Sequence, residues 1–146
     1  MTPLHIVEVS DGTTPVSLRD RVRLAVEILL AYGELILVVR QHDLPTMAAR
    51  ARQPQMGPSP PEVRTRALPA ARRLSWMVER ILALLPTDKR CLVKSLVLIR
   101  VLSNRSIPGV LVVGVLSNNG VKAHAWVEHD GHPVLPAGNF ERLLEL

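Results

Sequence analysis

The 146-residue chain has a single cysteine, so no disulfide can close within it, and a reducing, cytoplasmic setting is expected. Aromatic residues are scarce, at 3%. That leaves Leu, Val, Ile and Ala to build the interior, and it excludes nucleic-acid binding by stacking bases on exposed rings. No zinc-finger spacing, RNP-type motif or Gly-rich phosphate loop is present. The N-terminus has no basic-then-apolar signal pattern. Long apolar runs are missing too. Residues 25–39 carry Glu27 and Glu34, and residues 91–102 are broken by Lys94 and Arg100. Neither run reaches the roughly 20 uninterrupted apolar residues that span a bilayer. What remains is a chain that is 47% apolar with a net charge of +5, mostly from Arg. It suits one domain, or a compact catalytic unit with a short helical appendage, carrying a solvated basic face.

Local patterns divide the chain. Residues 4–9 are short, β-branched and partly alternating, which predicts a strand, followed by turn signals at Asp11-Gly12 and Pro15. Ser17 and Asp20 have capping-box-like spacing before a helix from Leu18 to about Arg40, with Val22, Val26, Leu29, Leu30, Ile36 and Leu37 at helical intervals. Its apolar, Arg-rich character suggests a partner surface. Glu27 and Glu34, one heptad apart, read as a solvated stripe. A short helix follows from Pro45, so residues 1–52 form an N-terminal strand and helical portion. Pro54, Gly57, Pro58, Pro60 and Pro61 then predict a linker or exposed loop over 53–66.

The catalytic unit is expected over residues 67–146. Pro69 suits the first turn of a helix running to about Leu85, and Pro86 ends it. Thr87-Asp88 supplies N-cap chemistry for a second helix over 89–104, apolar enough to be buried on most sides. Strands at 110–116, 122–129 and 132–135 are joined by hairpin signals at Asn118-Asn119-Gly120 and Asp130-Gly131, and an amphipathic tail covers 140–146. The fold class is α+β: a Cys-bearing helix packed on a small antiparallel sheet, with a helical N-terminal portion.

Cys91 stands near the start of the second of these helices. Unpaired backbone N–H groups and the positive end of the dipole favour an anion there, hence a thiolate, and Lys89 and Arg90 add positive charge. Burial as a small hydrophobe is the commoner fate of a lone cysteine. His124, on the strand Ala123-His124-Ala125-Trp126-Val127-Glu128, supplies the partner. A cysteine nucleophile needs a base within hydrogen-bond reach, itself held by a third group.

Three stretches together carry a family resemblance: Leu85-Pro86-Thr87-Asp88-Lys89-Arg90-Cys91-Leu92-Val93-Lys94-Ser95-Leu96, Ile107-Pro108-Gly109-Val110-Leu111-Val112-Val113-Gly114-Val115, and the His124 strand. They resemble the transglutaminase-like cysteine protease superfamily and, more narrowly, the lasso peptide biosynthesis B2 proteins, which are leader peptidases. Leu18-Arg19-Asp20-Arg21 and His42-Asp43-Leu44-Pro45 extend the likeness more loosely. The resemblance implies a cysteine peptidase that removes the leader from a ribosomally synthesised lasso precursor. It also implies partners: the precursor peptide, a small leader-binding (B1-type) protein and a cyclase that takes the product. Cys91 would be the nucleophile, His124 the base, and the Cys91 backbone N–H an oxyanion donor. It implies no cofactor.

The third member departs from the family's pattern. An Asp is usual after the turn that follows the His strand, but residues 134–139 hold no acid. Asn139 is the choice, since an amide oxygen can orient a histidine, and Asp130 is the runner-up. Trp126 shares the face of His124 and is placed at the edge of the substrate cleft. A metal site at His124, His129 and His132 is not expected, because alternation sets His129 opposite His124. Two alternatives stay open. One is a hydrolase or acyltransferase of the same fold acting on another peptide or amide, and the other is a non-catalytic peptide-binding module.

Overall fold

The computed structural model describes residues 17–41, 43–51, 61–85 and 90–146. The strand expected at 4–9 and the cap at Thr87-Asp88 lie outside them, as do residues 53–60 of the expected loop. Four helices, α1 (Leu18–Val39), α2 (Leu44–Ala51), α3 (Pro61–Leu82) and α4 (Arg90–Ser103), precede four strands. These are β1 (Val110–Leu116), β2 (Lys122–His129), β3 (His132–Pro133) and β4 (Glu141–Glu145). The architecture is α+β.

α4 is the axis. Val93, Leu96, Val97, Leu98, Ile99, Val101 and Leu102 are all buried, as their density in the sequence demands. α1, α2 and α3 pack around it, and the sheet closes its remaining side.

α1 starts where Ser17 caps it, its hydroxyl accepting the Arg19 N–H at 3.3 Å, and runs through Gly33 unbroken. Its buried stripe is Ile28, Ala31 and Leu35, whereas Val22, Val26, Leu29, Leu30 and Leu37 face outward. The expected stripe is thus rotated. Glu27 and Glu34 explain the rotation, because both are held in ion pairs, one to α4 and one to the residues just past its end. Glu34 pairs with Arg100 through two bonds of 3.1 and 3.2 Å, and Glu27 pairs with Arg105 through two of 2.9 Å. Arg100 also donates to the carbonyls of Arg50 and Ala51, satisfying the last turn of α2.

Burial alone would push the Glu27 carboxyl up, but hydrogen bonds from Arg105 and Asn104, with the Arg105 charge, hold it below the ordinary carboxylate value. A carboxyl lowered by folding stabilises the protein above its unfolded value and loses that contribution as pH falls through its folded value. Glu27→Gln is therefore expected to lose about 1 kcal/mol at pH 7. The gap to the wild type should close on acidification, as urea titrations between neutral and acid pH would measure.

α3 begins at Pro61, eight residues before the expected Pro69, so residues 61–66 of the expected loop are helical. Pro61 fits the first helical position. Pro69 lies inside the helix on its exposed side, where it removes one backbone bond without disturbing the buried row Ala67, Ala71, Leu74 and Val78.

The sheet order is β3-β2-β1-β4, antiparallel throughout its pairings. Asp130 and Gly131 both have positive φ, at 49° and 75°, as a two-residue hairpin turn requires. The tail expected to be merely amphipathic is a strand, β4, on the other edge of β1, with a register shift between Val113 and Gly114. At Gly114 the neighbours leave no room for a side chain: a Cβ would lie 2.7 Å from the Glu141 carbonyl oxygen and 2.8 Å from Trp126. Among the described residues, no helix is long and apolar enough to cross a membrane.

Candidate active site

Cys91 is the second residue of α4 and half-buried. Its backbone N–H belongs to the first turn, where helical donors have no partner within the helix. One turn on, Ser95 is fully buried, and its hydroxyl lies 2.7 Å from the Cys91 carbonyl and 3.2 Å from the Ala125 carbonyl. Ala125 follows His124 on β2. β3 pairs only with Glu128 and His129, so the outer edge of β2 near residue 125 has no strand beside it among the described residues. A buried serine takes the strand's place. With one proton to give, its hydroxyl is shared between the two carbonyls, 2.7 Å from that of the Cys-bearing turn and 3.2 Å from that of the His-bearing strand.

The His124 ring is held on three sides. Trp126 stacks on it at 5.9 Å between centroids with 21° between planes, and Phe140 packs at 4.9 Å. Gly138, with φ of 63°, turns the chain so that Phe140 can fold back. The third contact is 2.8 Å from Nε2 to the carbonyl oxygen of Pro136. A carbonyl only accepts, so Nε2 carries a proton, and Nδ1 is the nitrogen that remains for a thiol. No hydrogen bond directly joins the Cys91 thiol to His124 among the described residues; the link runs through Ser95, and such bonds commonly tighten only when substrate is bound.

The expected orienting residues lie elsewhere. Asn139 is exposed, three residues beyond the carbonyl that holds Nε2. Asp130 sits in the β2–β3 turn with its carboxylate 3.5 Å from His129, not His124. Trp126 is a correction: at 2% exposure it cannot wall a cleft. Its indole N–H donates to Glu128 at 2.9 Å, so it supports the imidazole from behind.

Glu128 itself was not foreseen. It is 5% exposed, and its second oxygen accepts from Arg142 on β4 at 2.9 Å. That bond pushes the Arg142 guanidinium still higher in basicity. Ser95 and the Pro136 carbonyl were missed as well: a serine inside a buried helix is a visible oddity in the sequence, whereas a backbone carbonyl leaves no signal. The histidines serve separate partners, His129 Nδ1 meeting the Pro108 carbonyl and His132 Nδ1 that of Asp130.

A cysteine at the start of α4 and a histidine on β2, the strand that packs against that helix, are the residue types that acyl transfer uses. The family model of the Transglutaminase-like superfamily matches residues 35–144. The chain belongs to this superfamily. The match begins in α1 and takes in α4, both halves of the site and the strand that carries Arg142. No curated protein and no solved structure matches the chain. The superfamily contains cysteine proteases and acyltransferases, and the fold is compatible with either.

Ser95 should act as a positioning residue. Ser95→Ala is expected to lower kcat for peptide cleavage about tenfold with KM little changed, because misplacing a reacting pair slows the chemical step more than binding. Steady-state kinetics on the variant, with its melting temperature alongside, would check this. Unchanged kcat would reduce Ser95 to a packing role.

Proposed function

We propose that the protein is a cysteine peptidase that removes the leader from a ribosomally synthesised lasso peptide precursor, working with a separate leader-binding protein and a cyclase. The observation that carries the catalytic part is the Ser95 bridge, which joins the Cys91 turn to the strand of a histidine whose Nε2 is already committed to Pro136. The substrate class is supported by the resemblance of residues 85–96, 107–115 and 123–128 to the lasso peptide B2 proteins.

The chemistry follows from the roles. The Cys91 thiolate adds to the scissile carbonyl carbon, and the oxyanion that forms is met by the backbone N–H of Cys91. The C–N bond breaks as protonated His124 gives its proton to the leaving amine, leaving a thioester on Cys91. Water then attacks the thioester while His124 takes its proton, and the acid product leaves with the thiol restored. His124 is oriented in this scheme by a backbone carbonyl instead of Asn139 or Asp130.

The direct test is incubation of the protein with the cognate precursor and its leader-binding partner, read by mass. Two fragments that together account for the precursor plus one water are expected. A precursor that stays intact although its partner is bound would overturn the peptidase reading. With Cys91 also inert to chloroacetamide, the result would favour the second reading, a non-catalytic peptide-binding module, for which the missing carboxylate at His124 speaks.

A further inference from the structure

Helix α3 serves two sides of the molecule. On one, Ser75 donates to the Val134 carbonyl and Glu79 pairs with Lys94 at 3.4 Å, tying α3 to the segment leading to Pro136 and to the first turns of α4. On the other, it lines a cavity of about 560 Å³ shared with α1. Leu24, Met77 and Ile81 give this cavity an aliphatic lining, and Trp76, 52% exposed, stands beside them.

Its charge is one-sided. Arg21, Arg73 and Arg80 line it, and none of them is in an ion pair among the described residues. A further arginine, Arg105, is already taken by Glu27, and Asp20 is the single acid in the lining. The Arg80 guanidinium lies 4.6 Å above the Trp76 ring. A guanidinium drawn to a ring face keeps N–H groups for a carboxylate, which it can meet through two parallel bonds.

We propose that the cavity between α1 and α3 binds an acidic stretch of the peptide substrate, seating one aliphatic side chain on Leu24, Met77 and Ile81 and carboxylates on Arg73 and Arg80. This rests on the peptidase reading for its source. The cavity takes in Arg105, just past the end of α4, and Cys91 stands at that helix's start, so the two places are about 15–20 Å apart by the helical rise. An extended chain advances about 3.3 Å per residue, so one peptide reaches both places with roughly five to eight residues between the acidic stretch and the scissile bond. Sequence-tolerant attraction of an acidic segment at a distance from the cut is what such a spacing provides.

The probe is a short fluorescein-labelled peptide rich in Glu with one Leu, compared by anisotropy with its Glu→Gln counterpart. The wild type should bind the Glu peptide at least about tenfold more tightly, and Arg73→Glu/Arg80→Glu should lose that preference. Both arginines are exposed, so the fold should survive, and circular dichroism would verify it. Equal binding of the two peptides, or an unaffected double variant, would overturn the site. So would a single-stranded oligonucleotide that binds more tightly and displaces the peptide.

The source is tested with the same peptide carrying a chloroacetyl group about six residues from the acidic stretch. The Cys91 thiolate displaces chloride and forms a thioether. Wild type should be labelled about tenfold faster than the double variant, while chloroacetamide alone labels both at one rate. Tight binding without faster labelling would overturn the substrate assignment and point to a partner protein. Cys91 inert to chloroacetamide itself would overturn the peptidase reading and the substrate assignment with it, and the anisotropy comparison would still decide the acidic-peptide site.

Discussion

Cys91→Ala is expected to lower precursor cleavage by about 10³-fold or more while shifting the melting temperature by no more than about 3 °C. The first figure follows from covalent catalysis: without the sulfur no thioester forms, and the residual oxyanion donor and binding contacts cannot replace it. The second follows from the site's position. Cys91 is half-buried at a helix start, so removing its sulfur opens little space in the core. His124→Gln should cost a similar factor, since an amide cannot relay the proton. The double variant should fall no further, because the two residues act as one unit. Cleavage kinetics on the three variants, each checked by circular dichroism, would read this out. A double variant whose losses multiplied would mean that the residues work independently.

The second large effect concerns the support of the site. Gly114→Ala places a Cβ 2.7 Å from the Glu141 carbonyl oxygen and 2.8 and 2.9 Å from two ring atoms of Trp126. Neither neighbour yields cheaply. The carbonyl belongs to β4, paired with β1 where the register already shifts, and the ring is buried and bonded to Glu128. The expected cost is about 2–4 kcal/mol, or roughly 6–15 °C in Tm. Activity should fall as well, since a displaced Trp126 no longer backs the His124 ring. Thermal denaturation and near-UV circular dichroism would show both parts. Adding Trp126→Phe should return some stability to the Gly114→Ala chain, because the smaller ring lacks the two crowded atoms. A double-mutant cycle measures that coupling.

The two halves of this account were not equally visible in the sequence. α4, β1, β2 and the Asp130-Gly131 turn were legible because their signals are local: an apolar run, β-branched residues, a residue pair suited to positive φ. Cys91 and His124 were legible as residue types in suggestive places. What stayed hidden depends on distant partners. Glu27 and Glu34 looked like a solvated stripe since Arg105 and Arg100 lie 78 and 66 residues away in the chain. α3 was misplaced because proline was weighed as a breaker, while Pro61 opens the helix and Pro69 faces solvent. β4 has no alternating pattern of its own; the uncovered edge of β1 makes it a strand.

The same logic explains the third member of the site. A carboxylate or amide was sought among side chains, which a sequence records, and Asn139 and Asp130 were the candidates within reach. The imidazole is held instead by a main-chain oxygen at Pro136, delivered by the path of the chain across the sheet. Nothing in the identity of residue 136 announces this. Likewise Trp126 and Glu128 alternate onto one face in the sequence, but the bond from Glu128 to Arg142 needs β4 in place.

The central claim is that Cys91 is a nucleophile activated by His124, and iodoacetamide tests it without any knowledge of the substrate. The measurement is the alkylation rate of Cys91, the chain's one cysteine, at pH 7 in the native protein, in His124→Gln and in the urea-unfolded chain. The account predicts native alkylation at least about tenfold faster than in the unfolded chain, with most of that advantage lost in His124→Gln. A native protein that alkylates only on unfolding, or a His124→Gln variant that reacts as fast as the wild type, would contradict it.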